Sequence, residues 1–176
     1  MIKGKHVSLR YVKKEELESL SLLMNDLSLK GNFARTNMRT HTSLERDFNE
    51  NGLSSELSEL FCIVDTENNI IGTICHIQTV TYSSAREIGF SIFEVKNSTK
   101  GYATEAVKLL ACYLFETRPI NRLQICMPVS HIACEKVVKK CGFIQEGTLR
   151  GAIFVRGKFL DTHIYSMLRD EYEKCT

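Results

Sequence analysis

The feature that most constrains the fold is a strongly apolar helix behind a small polar turn, in KNSTKGYATEAVKLLACYLF at residues 96–115. Beyond Gly101, apolar residues occupy almost every side of the predicted helix, so we expect it to be buried against a sheet. Strands are predicted on both sides of it, in AREIGFSIF (85–93) and in the mostly apolar NRLQICMPV (121–129). The segment therefore predicts a β-α-β unit whose buried helix opens on a polar turn.

The remaining segments place this unit inside one mixed domain. An alternating N-terminal strand precedes two helices, the second with Ser43 as its expected N-cap. Two further strands joined by ENN, and a C-terminal hairpin joined by RGK, complete the sheet. The segments are HVSLRYV (6–12), KKEELESLSLLMNDLS (13–28), SLERDFNENG (43–52), LFCIVDT (60–66), NIIGTICHIQTV (69–80), the helix SHIACEKVVKKCGF (130–143), GFIQEGTLRGAIFV (142–155) and KFLDTHIYSMLR (158–169). We predict a single α/β (α+β) domain over residues 1–176, with a mixed, mostly antiparallel sheet flanked by helices.

Composition argues against several classes of protein. The 23 Lys and Arg residues nearly balance the 21 Asp and Glu residues, and no basic run is present, so we expect neither nucleic acid nor a membrane as a partner. The N-terminus has no apolar core of signal-peptide length, which favours a cytoplasmic protein. The seven cysteines are odd in number and lack a C-x-x-C pair. His131 and Cys134, with Cys126 and Cys141, superficially suggest a metal site, but zinc sites usually contain tight Cys pairs, so no metal is predicted.

The turn at Gly101 has two interpretations. Glycine adopts backbone angles closed to other residues, and the amides at the start of the helix, with Lys96 and Lys100 nearby, suit a phosphate. An ordinary strand-to-helix turn would also use glycine and lysine. Neither nucleotide motif, G-x-x-x-x-G-K-[ST] or G-x-G-x-x-G, is present.

A family resemblance bears on this choice. The segments EIGFSI, KGYATEAVKLLACYLFE, NRLQ, ACEKVVKKCGFIQEGTLR and IYSMLRDEY resemble the GNAT superfamily of acyl-CoA-dependent N-acetyltransferases, and within it the ribosomal-protein N-terminal acetyltransferase (RimJ/RimL) branch. The resemblance covers nearly the whole chain and implies the GNAT fold. In that family, backbone amides of an R/Q-x-x-G-x-G/A loop hold the CoA pyrophosphate. The implied cofactor-binding residues are Ser98, Thr99, Lys100, Gly101, Tyr102, Ala103 and Thr104. Ser98 replaces the family's Arg or Gln, and Thr99 stands where a second Gly is frequent.

The resemblance also implies candidates for the chemistry. Ile92 and Phe93, within the stretch 90–94, would line the pantetheine arm and offer a backbone amide to the thioester carbonyl. Glu87 would draw a proton from the amine through water; alternatively it is a solvated strand residue near Arg86. His131 and Cys134 stand where the branch usually has Asn and Ser. His131 would hold the pantetheine arm.

Two side chains are alternative candidates for the proton donor. Cys134, with its pKa lowered by the helix N-terminus, would protonate the departing thiolate, or it is an inert buried cysteine. Tyr165 is a second candidate for this role, and packing is the alternative for it.

The expected function is transfer of an acetyl group from acetyl-CoA to a primary amine, of a protein N-terminus or a small molecule, by direct transfer in a ternary complex. The alternative is an acyl-CoA-binding protein of GNAT fold with little or no turnover, acting as a sensor or partner. The loop at 30–42, with Arg35, Arg39 and His41, resembles the acceptor-side segment and would form a cationic rim. A homodimer is left open.

Overall fold

The computed structural model describes residues 1–29, 31–33, 36–80, 82–93 and 100–173. The strands are β1 (Ile2–Lys3), β2 (Ser8–Tyr11), β3 (Ser58–Val64), β4 (Ile70–Gln78), β5 (Arg86–Ile92), β6 (Arg122–Pro128), β7 (Ile144–Val155) and β8 (Lys158–Leu168). The helices are α1 (Leu17–Asn25), preceded by a 3-10 turn at Lys14–Glu16, then α2 (His41–Asn51), α3 (Tyr102–Thr117), α4 (Ile132–Lys140) and α5 (Arg169–Glu173).

One eight-stranded sheet carries these helices, in the order β1-β2-β3-β4-β5-β6-β8-β7. All neighbouring strands pair antiparallel except β5 and β6, which run parallel. Parallel neighbours need a long crossover, and α3 supplies it. The predicted mixed, mostly antiparallel sheet flanked by helices is thus confirmed.

The two faces of the sheet carry different helices. The side chains of α3 at Ala106, Val107, Leu110 and Leu114 are buried in the main core, together with alternate residues of β2 to β6 and β8. On the opposite face, Cys62 and Val64 of β3 pack with α1 and α2 in a second core. Because strand side chains alternate between faces, one apolar strand serves both layers.

Several local predictions can be checked against the elements. Ser43 is not the N-cap of α2: the cap is Thr40, whose hydroxyl accepts the Ser43 N–H at 3.2 Å. The helix therefore starts at His41, earlier than expected, because a threonine side chain also satisfies a free first-turn amide. The two-residue turn between β7 and β8 is present, with positive φ at Arg156 (48°) and Gly157 (83°). The short elements β1 and α5 were not predicted.

Within the part of the chain that the structure describes, every helix is too short or too polar to cross a bilayer.

Candidate active site

The central parallel strands part soon after they meet. β5 and β6 pair only at Arg86 with Leu123 and at Glu87 with Gln124, although both strands continue for several residues. Their carboxyl-terminal halves are therefore separated by a gap, which we call the wedge. Beyond these two positions, the backbone groups of β5 and β6 that face the wedge do not pair with each other.

A helix N-terminus lies at the open end of the wedge. Gly101 immediately precedes α3 and has φ of 80°, in the left-handed region that favours glycine. A Cβ built on Gly101 would meet no atom of the described residues within 4 Å, so none of them blocks approach to this backbone. The amides of Tyr102, Ala103 and Thr104 lie in the first turn, where they have no intrahelical acceptor. The arrangement suits an anion.

Lys100 and Glu105 lie on the two sides of the turn at Gly101. Lys100 lies over the ring of Tyr102, with its Nζ 5.6 Å from the ring centroid. Glu105, the acidic residue of the first turn, accepts hydrogen bonds from the backbone of His6 at 3.0 Å and of Lys5, so its carboxylate is held by the N-terminal segment. Ser98, Thr99, Lys96 and Glu94 lie outside the described residues.

The residues expected to line the pantetheine arm differ in their surroundings. Ile92 is half-buried against the main core. Phe93 is buried in the second core, and its N–H donates to the Ile71 carbonyl at 2.8 Å. The Phe93 amide is therefore engaged within the sheet in this state.

Glu87 lies where β5 and β6 begin to part. Its Oε2 accepts a hydrogen bond from Gln124 Nε2 at 2.8 Å and lies 3.6 Å from Cys126 Sγ. Arg86 is buried on the opposite face, as the alternation of strand residues requires. Among the described residues Glu87 has no ion-pair partner, so no cation of the described chain neutralises this half-buried side chain.

Gln124 and Cys126 were missed by the sequence analysis, which treated β6 as mostly apolar. The strand in fact alternates, with Arg122, Gln124 and Cys126 half-buried on the Glu87 face. Burial, followed by the Glu87 carboxylate, raises the pKa of Cys126 to about 12. The period-two pattern in RLQIC was the available signal.

His131 and Cys134 lie at the start of α4, across the wedge from Gly101. His131 is the N-cap: its Nδ1 accepts the Cys134 N–H at 3.4 Å, and its ring stacks on Phe33 with centroids 4.7 Å apart. Burial lowers the pKa of His131 and raises that of Cys134 to about 12. The expected lowering of the Cys134 pKa by the helix N-terminus is therefore wrong, because desolvation of the thiolate dominates.

Tyr165 is fully buried in β8, opposite Ile125. Its hydroxyl lies 2.9 Å from Glu135 Oε1 and 3.1 Å from Gln145 Oε1, and its single hydrogen can be donated to either. Burial raises the pKa of Tyr165. These contacts tie the hydroxyl to α4 and β7, which favours the packing interpretation.

The acceptor-side loop carries less free positive charge than its sequence suggests. Arg39 pairs with Asp47, and its backbone bonds to the Asn25 side chain at 2.6 and 2.9 Å. His41 is exposed in the first turn of α2. Arg35 lies outside the described residues.

No group of three or more His, Cys, Asp or Glu side chains able to hold a metal occurs in the described ranges.

The parallel strands β5 and β6 separate near the N-terminus of the buried helix α3. This arrangement agrees with the class of acyltransferases that the sequence resembles. Residues 6–144 match the acetyltransferase (GNAT) domain family. The chain belongs to this family and is an N-acetyltransferase by its membership.

Individual relatives agree with this assignment. The chain is 28% identical over 138 residues to the uncharacterised N-acetyltransferase p20 of Bacillus licheniformis, covering 76% of each chain. It is 36% identical over 87 residues to YdaF of Bacillus subtilis, a putative ribosomal N-acetyltransferase, covering 49% of this chain and 47% of YdaF.

Solved structures share the fold. Spermidine N-acetyltransferase from Vibrio cholerae, in complex with CoA and spermine, has a TM-score of 0.82 at 20% identity and covers 95% of this chain and 98% of that one. RimL, a ribosomal alpha-N-protein acetyltransferase in complex with CoA, has a TM-score of 0.83 at 17% identity and covers 97% and 98%.

Proposed function

We propose that this N-acetyltransferase uses acetyl-CoA and acetylates a primary amine by direct attack within a ternary complex. The observation that supports this best is the wedge itself, which has an amide-rich helix N-terminus at its mouth and the Glu87 carboxylate where its strands part. A cofactor threaded through the wedge would bring its thioester towards the strand that carries Glu87.

The residues present fit the cofactor. Gly101, with open space beside its α-carbon, and the first-turn amides of α3 would bind the pyrophosphate, with Lys100 adding positive charge. Ser98 and Thr99 keep their proposed roles through backbone amides. Ile92 and His131 would line the pantetheine arm on the two sides of the wedge, whereas Phe93, packed in the second core and bonded to Ile71, would support the strand from behind. Acetyl-CoA supplies the thioester whose acetyl group is transferred.

Glu87 would act as the base. When the amine nitrogen bonds to the carbonyl carbon, the carbon–sulfur bond breaks and the nitrogen loses a proton. The Glu87 carboxylate, held by Gln124 and lacking a cationic partner in the described chain, would accept that proton through water.

We infer that neither Cys134 nor Tyr165 protonates the departing thiolate, which leaves as the anion and takes up a proton from the buffered solvent afterwards. A thiol with pKa near 12 is a weaker acid than a CoA thiol of ordinary pKa, about 8.5, so the transfer from Cys134 would be uphill. The Tyr165 hydroxyl is already bonded to Glu135 or Gln145.

A measurement of thiol release with acetyl-CoA and a panel of amines tests the proposal. The panel should include spermidine, amino sugars and peptides with a free N-terminus, because the relatives include a spermidine acetyltransferase and a ribosomal-protein one. We expect thiol release above the hydrolysis background with at least one amine, and mass spectrometry should find the acetylated amine. Tight acetyl-CoA binding without release for any amine would instead support the non-catalytic acyl-CoA-binding function.

We also propose that residues 1–176 form one domain and that the protein is cytoplasmic. The single sheet spanning β1 to β8 supports the first proposal. Free thiols at six cysteines in the described chain support a reducing compartment. Homodimer formation remains a prediction that light scattering can check.

A further inference from the structure

A second polar pocket lies at the opposite end of the sheet from Gly101. It has a volume of about 320 Å³ and is formed where β5 begins and α3 ends, so it is separate from the mouth of the wedge. Its lining includes the polar residues Glu56, Gln78, Ser83, Ser84, Arg86 and Arg118. Its volume is in the lower range of small-molecule sites.

Arg86 carries a buried charge that lacks a carboxylate partner in the described chain. Arg86 is only 6% exposed, and its Nη1 donates to the Ser84 carbonyl at 3.0 Å. Its Nη2 reaches only the Glu56 carbonyl, at 3.4 Å, and its Nε has no acceptor within the described residues. A buried cation without a counter-ion is costly unless a ligand supplies one.

Arg118 adds a second cation to the same pocket. Its Nη2 is paired with Glu59 Oε2 at 2.8 Å, its Nη1 donates to the Glu56 carbonyl at 3.1 Å, and its Nε is also without an acceptor in the described ranges. Burial first, and then the Arg118 charge, lowers the pKa of Arg86. The Glu56 carboxylate, which is exposed to solvent, acts in the opposite direction on this pKa but makes no ion pair with Arg86 in the described chain.

We propose that this pocket binds a small oxyanion, a phosphate or a carboxylate group, between Arg86 and Arg118. Both guanidinium groups line the pocket, and a guanidinium donates charge-assisted hydrogen bonds to the oxygens of such a group. Ser83 adds a donor: its Oγ accepts the Ala85 N–H at 3.1 Å, and its own hydrogen has no acceptor among the residues described. The site is distinct from the proposed pyrophosphate site and does not depend on the proposed acetyl transfer.

Calorimetric titration with inorganic phosphate, and in a second arm with succinate, tests the site. CoA is kept saturating so that the Gly101 turn does not bind the probe, and ionic strength is held constant. We expect one phosphate or one succinate per chain at millimolar concentrations, and the tighter probe identifies the kind of group. Arg86→Gln should weaken binding by about 10-fold or more, because charged hydrogen bonds are lost.

Two further variants keep the test decisive. Arg46→Gln removes the same charge from an exposed arginine of α2 and should bind as the wild type does. Arg86→Lys retains the charge but not the fork, and should weaken binding even if Arg86→Gln fails to fold. Wild-type affinity in every folded Arg86 variant, or no binding of either probe to the wild type, would overturn the proposal.

Discussion

Glu87 and Glu146 present carboxylates on the same face of the sheet in different electrostatic settings. Glu146 accepts from Arg122 Nη1 at 2.7 Å and from Ser166 Oγ at 2.7 Å, and these bonds hold its pKa at about 2. Within the part of the chain that the structure describes, Glu87 is bonded by the neutral Gln124 and approached by Cys126. A carboxylate already committed to arginine is a poor base, whereas Glu87 is available.

Glu87→Gln should therefore slow turnover by about 100-fold or more and leave CoA affinity unchanged. The loss should shrink at high pH, where hydroxide can accept the proton that the nitrogen loses during the attack. Glu146→Gln is the matched control: it should lower the melting temperature by leaving Arg122 unpaired, with turnover within a few-fold of wild type. Equal turnover by wild type and Glu87→Gln across the pH range would remove Glu87 from the mechanism.

Cys134 can be tested by two substitutions of different chemistry. Since its thiol is partly buried against the core and has a raised pKa, we expect Cys134→Ala to turn over within a few-fold of wild type and to cost about 1 kcal/mol in the free energy of unfolding, as for a small cavity. Steady-state rates and denaturant melts measure the two effects. If Cys134→Ala were slower by about two orders of magnitude and Cys134→Ser restored the rate, the thiol would deliver the proton after all.

His76 and Glu59 form a buried pair that predicts acid sensitivity. Burial alone would raise the pKa of Glu59, but bonds from Tyr11, His76 and Arg118 hold it at about 2. Burial also lowers the pKa of His76 from its ordinary 6.5. In each case the unfolded chain binds a proton more readily than the folded one, so stability present at neutral pH is lost on acidification.

Stability should thus begin to fall below about pH 6.5 through His76, and fall further below pH 4.5 as Glu59 becomes protonated in the unfolded state. Denaturant melts at a series of pH values measure the slope. His76→Gln, which can still donate to Glu59, should be less stable at pH 7 but show a shallower slope between pH 6.5 and 5. An unchanged slope would mean that His76 binds a proton equally well in the folded and unfolded states.

At the scale of elements, the turn before α3 is where backbone geometry and ligand binding coincide. Gly101→Val places a branched side chain at φ of 80° and in the space from which a pyrophosphate would approach. Gly52→Val is a matched control, since Gly52 has φ of 67° and equally open space. It precedes β3, which runs parallel to β5, so it lies at the other end of the sheet from Gly101.

Both substitutions should cost a similar amount of stability, about 1–2 kcal/mol for a left-handed residue. Only Gly101→Val should lose CoA affinity, which calorimetry measures on the folded variants. If the two variants bind CoA equally well, the pyrophosphate does not bind at the Gly101 turn.

Most helices and strands were predictable because the spacing of apolar residues that indicates them lies within a few neighbouring residues. Alternation located β2, and the apolar run located α3, since each pattern reports burial within a few residues. The network around Glu59 was not predictable, because His76, Tyr113 and Arg118 approach it only after the sheet and α3 have formed. The predicted lowering of the Cys134 pKa was wrong for a related reason, because the sequence indicated a helix N-terminus but not the extent of burial.

At the scale of the whole molecule, few contacts join the strands before the wedge to those after it. β5 and β6 share two residue pairs, α3 packs beneath both, and Phe33 stacks on His131 across the opening. A ligand in the wedge would touch both parts at once. A bound ligand should therefore raise the free energy of unfolding, because it contacts both the strands up to β5 and the strands from β6 onward.

Acetyl-CoA at about 100 times its Kd should raise the free energy of unfolding by about 2.7 kcal/mol. The slowing of amide exchange should concentrate at residues 89–93, 101–105 and 131–135, on both sides of the wedge, with little change at the turn between β7 and β8. Hydrogen-exchange mass spectrometry with and without acetyl-CoA measures this pattern, and Gly101→Val serves as the weakly binding control. Protection confined to one side of the wedge would place the cofactor elsewhere, because a pantetheine arm between β5 and β6 must contact both strands.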